Sequence, residues 1–266
     1  MVPIDMSGKV AIITGAGRGL GRASALKFAQ AGADVVIVDV VMENAQSVAK
    51  EAQALGVRSK AYATDVTDAD AMEKMVDEVV AEFGRLDVMF NNAGVNVITS
   101  FVDSTLEQMK WLEDVNLFGV YNGCKAAVKH MLAQGGGVIL NTSSQAGVVG
   151  AKGHTPYTPS KFAVRGLTQT MALELGPKNI RVNAICPGII RTPMWEQNLD
   201  QMLEGDAAKD PARRDETFNS TIQARTPLQR PQTEDDIANA CLFLVSDMSL
   251  NVTGQSLLVN GGLTMT

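Results

Sequence analysis

Apolar residues along this chain follow two alternating rhythms. Short β-branched runs predict buried strands at "KVAIIT" (9–14), "DVVIVD" (34–39), "LDVMFNN" (86–92), "GVILNTS" (137–143), "IRVNAIC" (180–186) and "QSLLVNG" (255–261). A weaker run, "SKAYATD" (59–65), predicts one more. Between the strands the spacing turns helical. Met72, Met75, Val76, Val79 and Phe83 fall at i, i+3, i+4, i+7 and i+11, one apolar stripe, so these methionines are core residues. Strand and helix alternate throughout, which predicts an α/β fold: a doubly wound parallel sheet of seven strands with helices on both faces. Such sheets take ligands beyond the carboxyl ends of their strands, so candidate chemistry should sit just after a strand. The long stretch without strand signals, roughly 190–230, mixes amphipathic helix with charge and predicts a substrate lid.

Composition narrows the function. With 266 residues, 45% of them hydrophobic, the chain suits one domain spanning 1–266, and no repeat or flexible linker divides it. A net charge of −6 argues against nucleic acid as a partner. No run is long enough to span a bilayer and the opening "MVPIDMSGKV" has no signal-peptide core, so a cytoplasmic protein is expected. Cys124, Cys186 and Cys241 are odd in number and set in apolar contexts, the pattern of reduced structural thiols. His130 and His154 lack partners at metal-ligand spacing, and no metal site is expected.

The strand-end rule then finds nucleotide chemistry. "TGAGRGLG" (14–21) follows the first strand and opens a helix with Ala25, Phe28 and Ala29 facing inward. Gly15, Gly19 and Gly21 would let the backbone turn tightly and bring a pyrophosphate to the helix N-terminus. Asp39 ends the second strand, where a carboxylate accepts from both ribose hydroxyls and repels a 2′-phosphate. Arg18 pulls toward the phosphate, but Val40 and Val41 add no second base, so NAD is expected over NADP. "TDV" (64–66) places Asp65 near the adenine, and "NNAG" (91–94) places Asn91 at the floor of the site.

"TGAGRGLG", "NNAG", Asn116 in "DVNLFG", Ser144, "YTPSK" (157–161) and "PGIIRT" (187–192) occur in this order. Together they resemble the short-chain dehydrogenase/reductase family across nearly the whole chain. "SQAG", "SKFAVRGLTQT" and "CPGIIRTPMW" are most similar to its acetoin (2,3-butanediol) and polyol dehydrogenase branch. "VNGG" (259–262) departs from the family, which more often has Asp in place of Asn260. The resemblance implies a Rossmann-type fold, a homotetramer, a small-molecule alcohol or ketone substrate, and a catalytic set of Asn116, Ser144, Tyr157 and Lys161. Tyr157 would carry the proton, its pKa lowered by Lys161 and the nicotinium charge. Ser144 would bind the substrate oxygen, Lys161 the nicotinamide ribose, and Asn116 a water leading to solvent. Further cofactor contacts are implied at Leu20, Val66, Asn92, Ala93, Gly94, Pro187, Gly188, Ile190 and Thr192. Gln145, whose amide both donates and accepts, is expected to read a second oxygen on the substrate, with Met194 and Trp195 as an apolar wall. The expected activity is NAD-dependent interconversion of a secondary alcohol and a ketone, on a small diol, hydroxyketone or polyol. A 3-oxoacyl or steroid-type carbonyl reductase is the alternative enzyme, and a non-catalytic cofactor-binding regulator the alternative of another kind.

Overall fold

The computed structural model describes residues 4–203 and 209–265. All seven predicted strands form: β1 (Val10–Thr14), β2 (Asp34–Asp39), β3 (Ser59–Ala63), β4 (Val88–Asn91), β5 (Gly137–Thr142), β6 (Ile180–Pro187) and β7 (Ser256–Val259). They pair in parallel in the order β3-β2-β1-β4-β5-β6-β7. Helices α1 (Gly19–Gln30), α2 (Met42–Ala54), α3 (Ala69–Phe83), α4 (Leu106–Glu113), α5 (Gly119–Gln134) and α6 (Tyr157–Leu175) connect the first six. After β6 come α7 (Pro193–Met202), α8 (Pro211–Arg225) and α9 (Glu234–Val245). No helix among the described residues is long and apolar enough to cross a membrane.

The two-residue period of each strand divides the core between two layers. On β1, Ala11 and Ile13 pack with Phe28 of α1, Ala45 and Val48 of α2, and Ile237 of α9. Val10 and Ile12 face the other way, against Met72, Met75, Val76 and Val79 of α3 and Val120 of α5. The stripe read from the sequence is the buried face of α3, with Asp68 capping its start and Gly84, at φ 84°, ending it. All three cysteines are free and buried, and burial pushes Cys124 and Cys241 up to about 12, so they behave as packing groups.

Two details depart from the sequence reading. Pro187 is the last residue of β6 rather than the first of the following turn. A π-helical turn, Asp114–Phe118, separates α4 from α5 and holds Asn116 at its centre. Of the expected lid, α7 and α8 form, while residues 204–208 lie outside the described residues. Strand order reverses direction between β1 and β4, so the connections leaving their carboxyl ends run opposite ways and leave a crevice.

Candidate active site

A cavity of about 750 Å³ opens over the carboxyl ends of the strands. At one end, the loop after β1 turns through Gly15 and Gly19, at φ 61° and 60°. Such angles strain any residue with a Cβ. A Cβ on Gly15 would also lie 2.8 Å from the Ala93 Cα. No side chain caps α1, so its first backbone N–H groups are left for an anion. Asp39 is oriented from two sides, accepting from Gly17 N at 2.9 Å and Val41 N at 3.1 Å. A Cβ on Gly17 would lie 2.7 Å from the Asp39 carboxylate oxygen, so this turn requires glycine. Arg18, Leu20, Asp65 and Val66 complete this end of the lining.

Gly21 does not line the cavity. A Cβ there would meet the Gly15 carbonyl at 2.3 Å and Asn92 Nδ2 at 2.6 Å, so it lets α1 close on the loops beneath. Thr14 joins those loops: its Oγ1 accepts from Asn92 N at 3.0 Å and Ala93 N at 3.1 Å. Asn91 lies below the surface, donating to Asn141 Oδ1 at 2.9 Å, while Asn92, Ala93 and Gly94 line the floor.

Beyond β5, Ser144 caps a 3-10 turn, Gln145–Gly147, with its Oγ accepting from Ala146 N at 3.1 Å. Tyr157 opens α6 and Lys161 lies one turn on, its Nζ 5.7 Å from the tyrosine ring centroid. Lys161 is only 2% exposed, and Nζ donates to Thr142 O at 2.9 Å. The expected depression of Tyr157 does not hold for the protein's own groups. Burial pushes its hydroxyl up to about 12 and a hydrogen bond with Ser144 only partly opposes this. The same burial lowers Lys161 to about 8, so its positive charge is weakened where the tyrosine needs it.

Asn116 is at the centre of the π-helical turn. It is fully buried and does not line the cavity. Its Oδ1 accepts from Val95 N at 2.8 Å; its Nδ2 donates to Val95 O at 3.0 Å and Ser160 Oγ at 3.2 Å. Its geometry is that of a brace between the loop after β4 and α6.

Gln145 lines the cavity with its Oε1 accepting from Thr264 Oγ1 at 3.1 Å. The tail is held in turn by Asn260, whose amide donates to Thr264 O at 3.0 Å. A carboxylate could not make that bond, which gives Asn260 a role of its own. Pro187, Gly188, Ile190 and Thr192 line the far wall, and Gly188 N donates to Gln232 Oε1 at 3.0 Å. Thr192 caps α7, bringing Met194 and Trp195 to the cavity, where Trp195 packs edge-on against Phe218 at 5.8 Å. The α7 segment is tied to the loop after β4, with Asn96 Nδ2 donating to Asn198 Oδ1 at 3.0 Å and Ile98 N to Gln201 Oε1 at 2.7 Å.

Sequence reasoning missed Gly17, although it lies inside the glycine motif, and Thr14, which ends β1. Trp111, Lys152, His154 and Arg225 also line the cavity, from loops and helix ends with no strand beside them to point them out.

A family model described as "Enoyl-(Acyl carrier protein) reductase" matches residues 15–264. The chain is 41% identical over 260 residues to the 3-oxoacyl-[acyl-carrier-protein] reductase FabG of Thermotoga maritima, covering 98% of this chain and 99% of that protein. It is 38% identical over 256 residues to the diacetyl reductase [(S)-acetoin forming] of Staphylococcus epidermidis, covering 96% and 98%. Among solved structures, a short-chain type dehydrogenase/reductase from Mycobacterium marinum superposes with a TM-score of 0.88 at 33% identity, covering 98% of each chain.

Proposed function

The chain belongs to the short-chain dehydrogenase/reductase family, and on that premise we propose that it interconverts a secondary alcohol and a ketone with NAD(H). The substrate in this reading is a small diol, hydroxyketone or polyol. One observation carries it: Ser144, Tyr157 and Lys161 converge in the same cavity as the Gly15–Gly19 turn and Asp39. The uncapped helix end and the glycine turn fit a diphosphate, and the fixed Asp39 carboxylate fits a ribose diol. A bound nicotinamide dinucleotide supplies the hydride acceptor or donor.

The chain's own residues do the rest. Arg18, Leu20, Asp65 and Val66 would border the adenosine, and Pro187, Gly188, Ile190 and Thr192 the nicotinamide. The Ser144 hydroxyl donates to the substrate oxygen. Tyr157, protonated at neutral pH, gives its proton to that oxygen as a ketone is reduced; as an oxyanion it takes the proton from an alcohol. Lys161, when charged, steadies the oxyanion from behind. Its backbone is held by Ser143, whose Oγ donates to Lys161 O at 2.8 Å. Gln145 reads the second oxygen, and α7 with α8 acts as the lid. The exposed apolar residues Phe101, Val102, Phe118, Tyr121 and Phe162 serve as subunit contacts of a homotetramer, which light scattering would test.

A second reading, reduction of a 3-oxoacyl thioester, is favoured by the FabG relative. NADH absorbance, followed with NAD and NADP over diols, polyols, hydroxyacyl thioesters and steroids, separates the two. Fastest turnover on a thioester with NADP would overturn the first reading. We expect NAD to be preferred by about tenfold or more in kcat/KM, with Asp39→Ala narrowing the gap. Equal use of both cofactors by the wild type would give Arg18 control of the pocket.

A further inference from the structure

Charge is spread unevenly around the cavity. Its carboxylates, Asp39 at the end of β2 and Asp65 after β3, both lie at the nucleotide end. Toward the substrate end the ionisable lining beyond Tyr157 and Lys161 is Lys152, His154 and Arg225, with no carboxylate among the described residues. The chain as a whole carries 29 acidic residues against 23 basic ones, so a basic wall runs against its composition.

Both bases are placed by the fold. Lys152 lies five residues before Tyr157 in a loop pinned by Thr99 N donating to Gly153 O at 2.8 Å. In the same loop the His154 ring meets the Tyr157 ring at 6.0 Å, and His154 Nδ1 lies 3.1 Å from Lys152 O. Lys152 thereby belongs to the loop that meets the tyrosine ring, and its side chain is exposed, as is that of Arg225. Across the cavity, Phe218, Ile222 and Arg225 follow one another at i, i+4 and i+7 along α8, on one face. That face packs against Trp195. The acids of the same segment are committed elsewhere: Glu196 to Arg191 and Arg214, Asp200 to Arg214, and Asp215 to Arg191. A basic residue at a helix C-terminus also suits the helix dipole, which accounts for Arg225 alone but not for a lysine on the opposite loop.

We propose that the substrate is a hydroxy acid or oxo acid, its carboxylate taken by Lys152 and Arg225 while its alcohol or ketone carbon meets Tyr157 and Ser144. This rests on the alcohol–ketone reading and narrows it to an anionic substrate. In reduction the carbonyl carbon gains hydrogen with two electrons from NADH, and the oxygen takes the Tyr157 proton. Tyr157 is reprotonated from solvent, and the carboxylate leaves unchanged.

The test compares acetoacetate with its neutral methyl ester, reduced with NADH by wild type, Lys152→Gln, Arg225→Gln and the double variant. Wild type should favour the acid by about tenfold in kcat/KM, the scale of a charge-assisted contact, and the double variant should bring the ratio near one. Equal use of acid and ester, or a preference that survives both substitutions, overturns the inference and leaves the alcohol–ketone reading standing. Dihydroxyacetone phosphate belongs in the same series, and preference for it over acetoacetate overturns the carboxylate assignment. If neither ketone turns over, fluorescence replaces rates, because the chain's 2 tryptophans, Trp111 and Trp195, both line the cavity. Acetoacetate quenching that weakens about tenfold in the double variant upholds the anion site, and the alcohol–ketone reading is then decided by the diol and polyol panel. Quenching that is absent, or indifferent to the substitutions, overturns the inference itself.

Discussion

Lys161 is a cation left only 2% exposed, and its position costs stability. Burial lowers it to about 8 from an ordinary 10.5. Between those values the unfolded chain keeps a proton that the folded chain has released, so stability rises as pH climbs through the window. Below about pH 8 both states hold the proton and the penalty is complete. Relative to Lys161→Met, wild type should therefore gain on the order of 2 kcal/mol between pH 8 and 10, measured by denaturant unfolding. A difference that does not change with pH would mean that the ammonium is hydrated. Its neighbour carries the opposite message. Tyr157 is held protonated by burial, so ketone reduction should persist through neutral pH while alcohol oxidation climbs as pH rises. Tyr157→Phe should cut turnover by about 100-fold or more with NADH binding largely kept, as a lost acid–base group does. Near-normal turnover with chemistry rate-limiting would remove Tyr157 from the proton path. "YTPSK" showed both residues in the sequence, because one helical turn fixes their separation. It could not show their protonation, which depends on how β5, α6 and the surrounding loops exclude water together.

The elements were legible wherever one rhythm ran long enough. The runs of β1, β2, β4 and β6 are buried on both faces, the edge strands β3 and β7 only in part, and the α3 stripe needed only its own period. The π-helical turn was not legible, because "DVNLF" has the composition of an ordinary helix and its extra residue matters only through the Val95 and Ser160 contacts of Asn116. Arg225 was missed for a related reason: its face of α8 acquires meaning only once Trp195 is packed against it. Gly21 was found, but a motif cannot separate a glycine that admits a ligand from one that admits a helix. The link between α7 and the loop after β4 is equally long-range and equally testable. Gln201→Ala removes the acceptor of Ile98 N and should raise KM about two- to threefold with cofactor affinity unchanged, the scale of one neutral hydrogen bond. An unchanged KM would show that α7 holds its place without that tie.

Over the whole molecule, cofactor binding should register as stability. A dinucleotide held at about 100 times its Kd adds roughly 2.7 kcal/mol, or about 5–10 °C in Tm for a domain of this size. NADH should give that shift and NADPH a clearly smaller one at equal concentration. Matching shifts would remove Asp39 as the discriminator. The sheet also divides the labour. Asp39 ends β2 and Asp65 follows β3, whereas Ser144, Tyr157 and Lys161 belong to the half beyond β4. Thr14, bonded to Asn92 and Ala93, is the seam. On the proposed function the protein would be two inheritable parts, one choosing the redox partner and one choosing the alcohol. A chimera that exchanges the segment before the seam residues of β4 for that of a relative should change the currency of electrons and keep the taste for substrate.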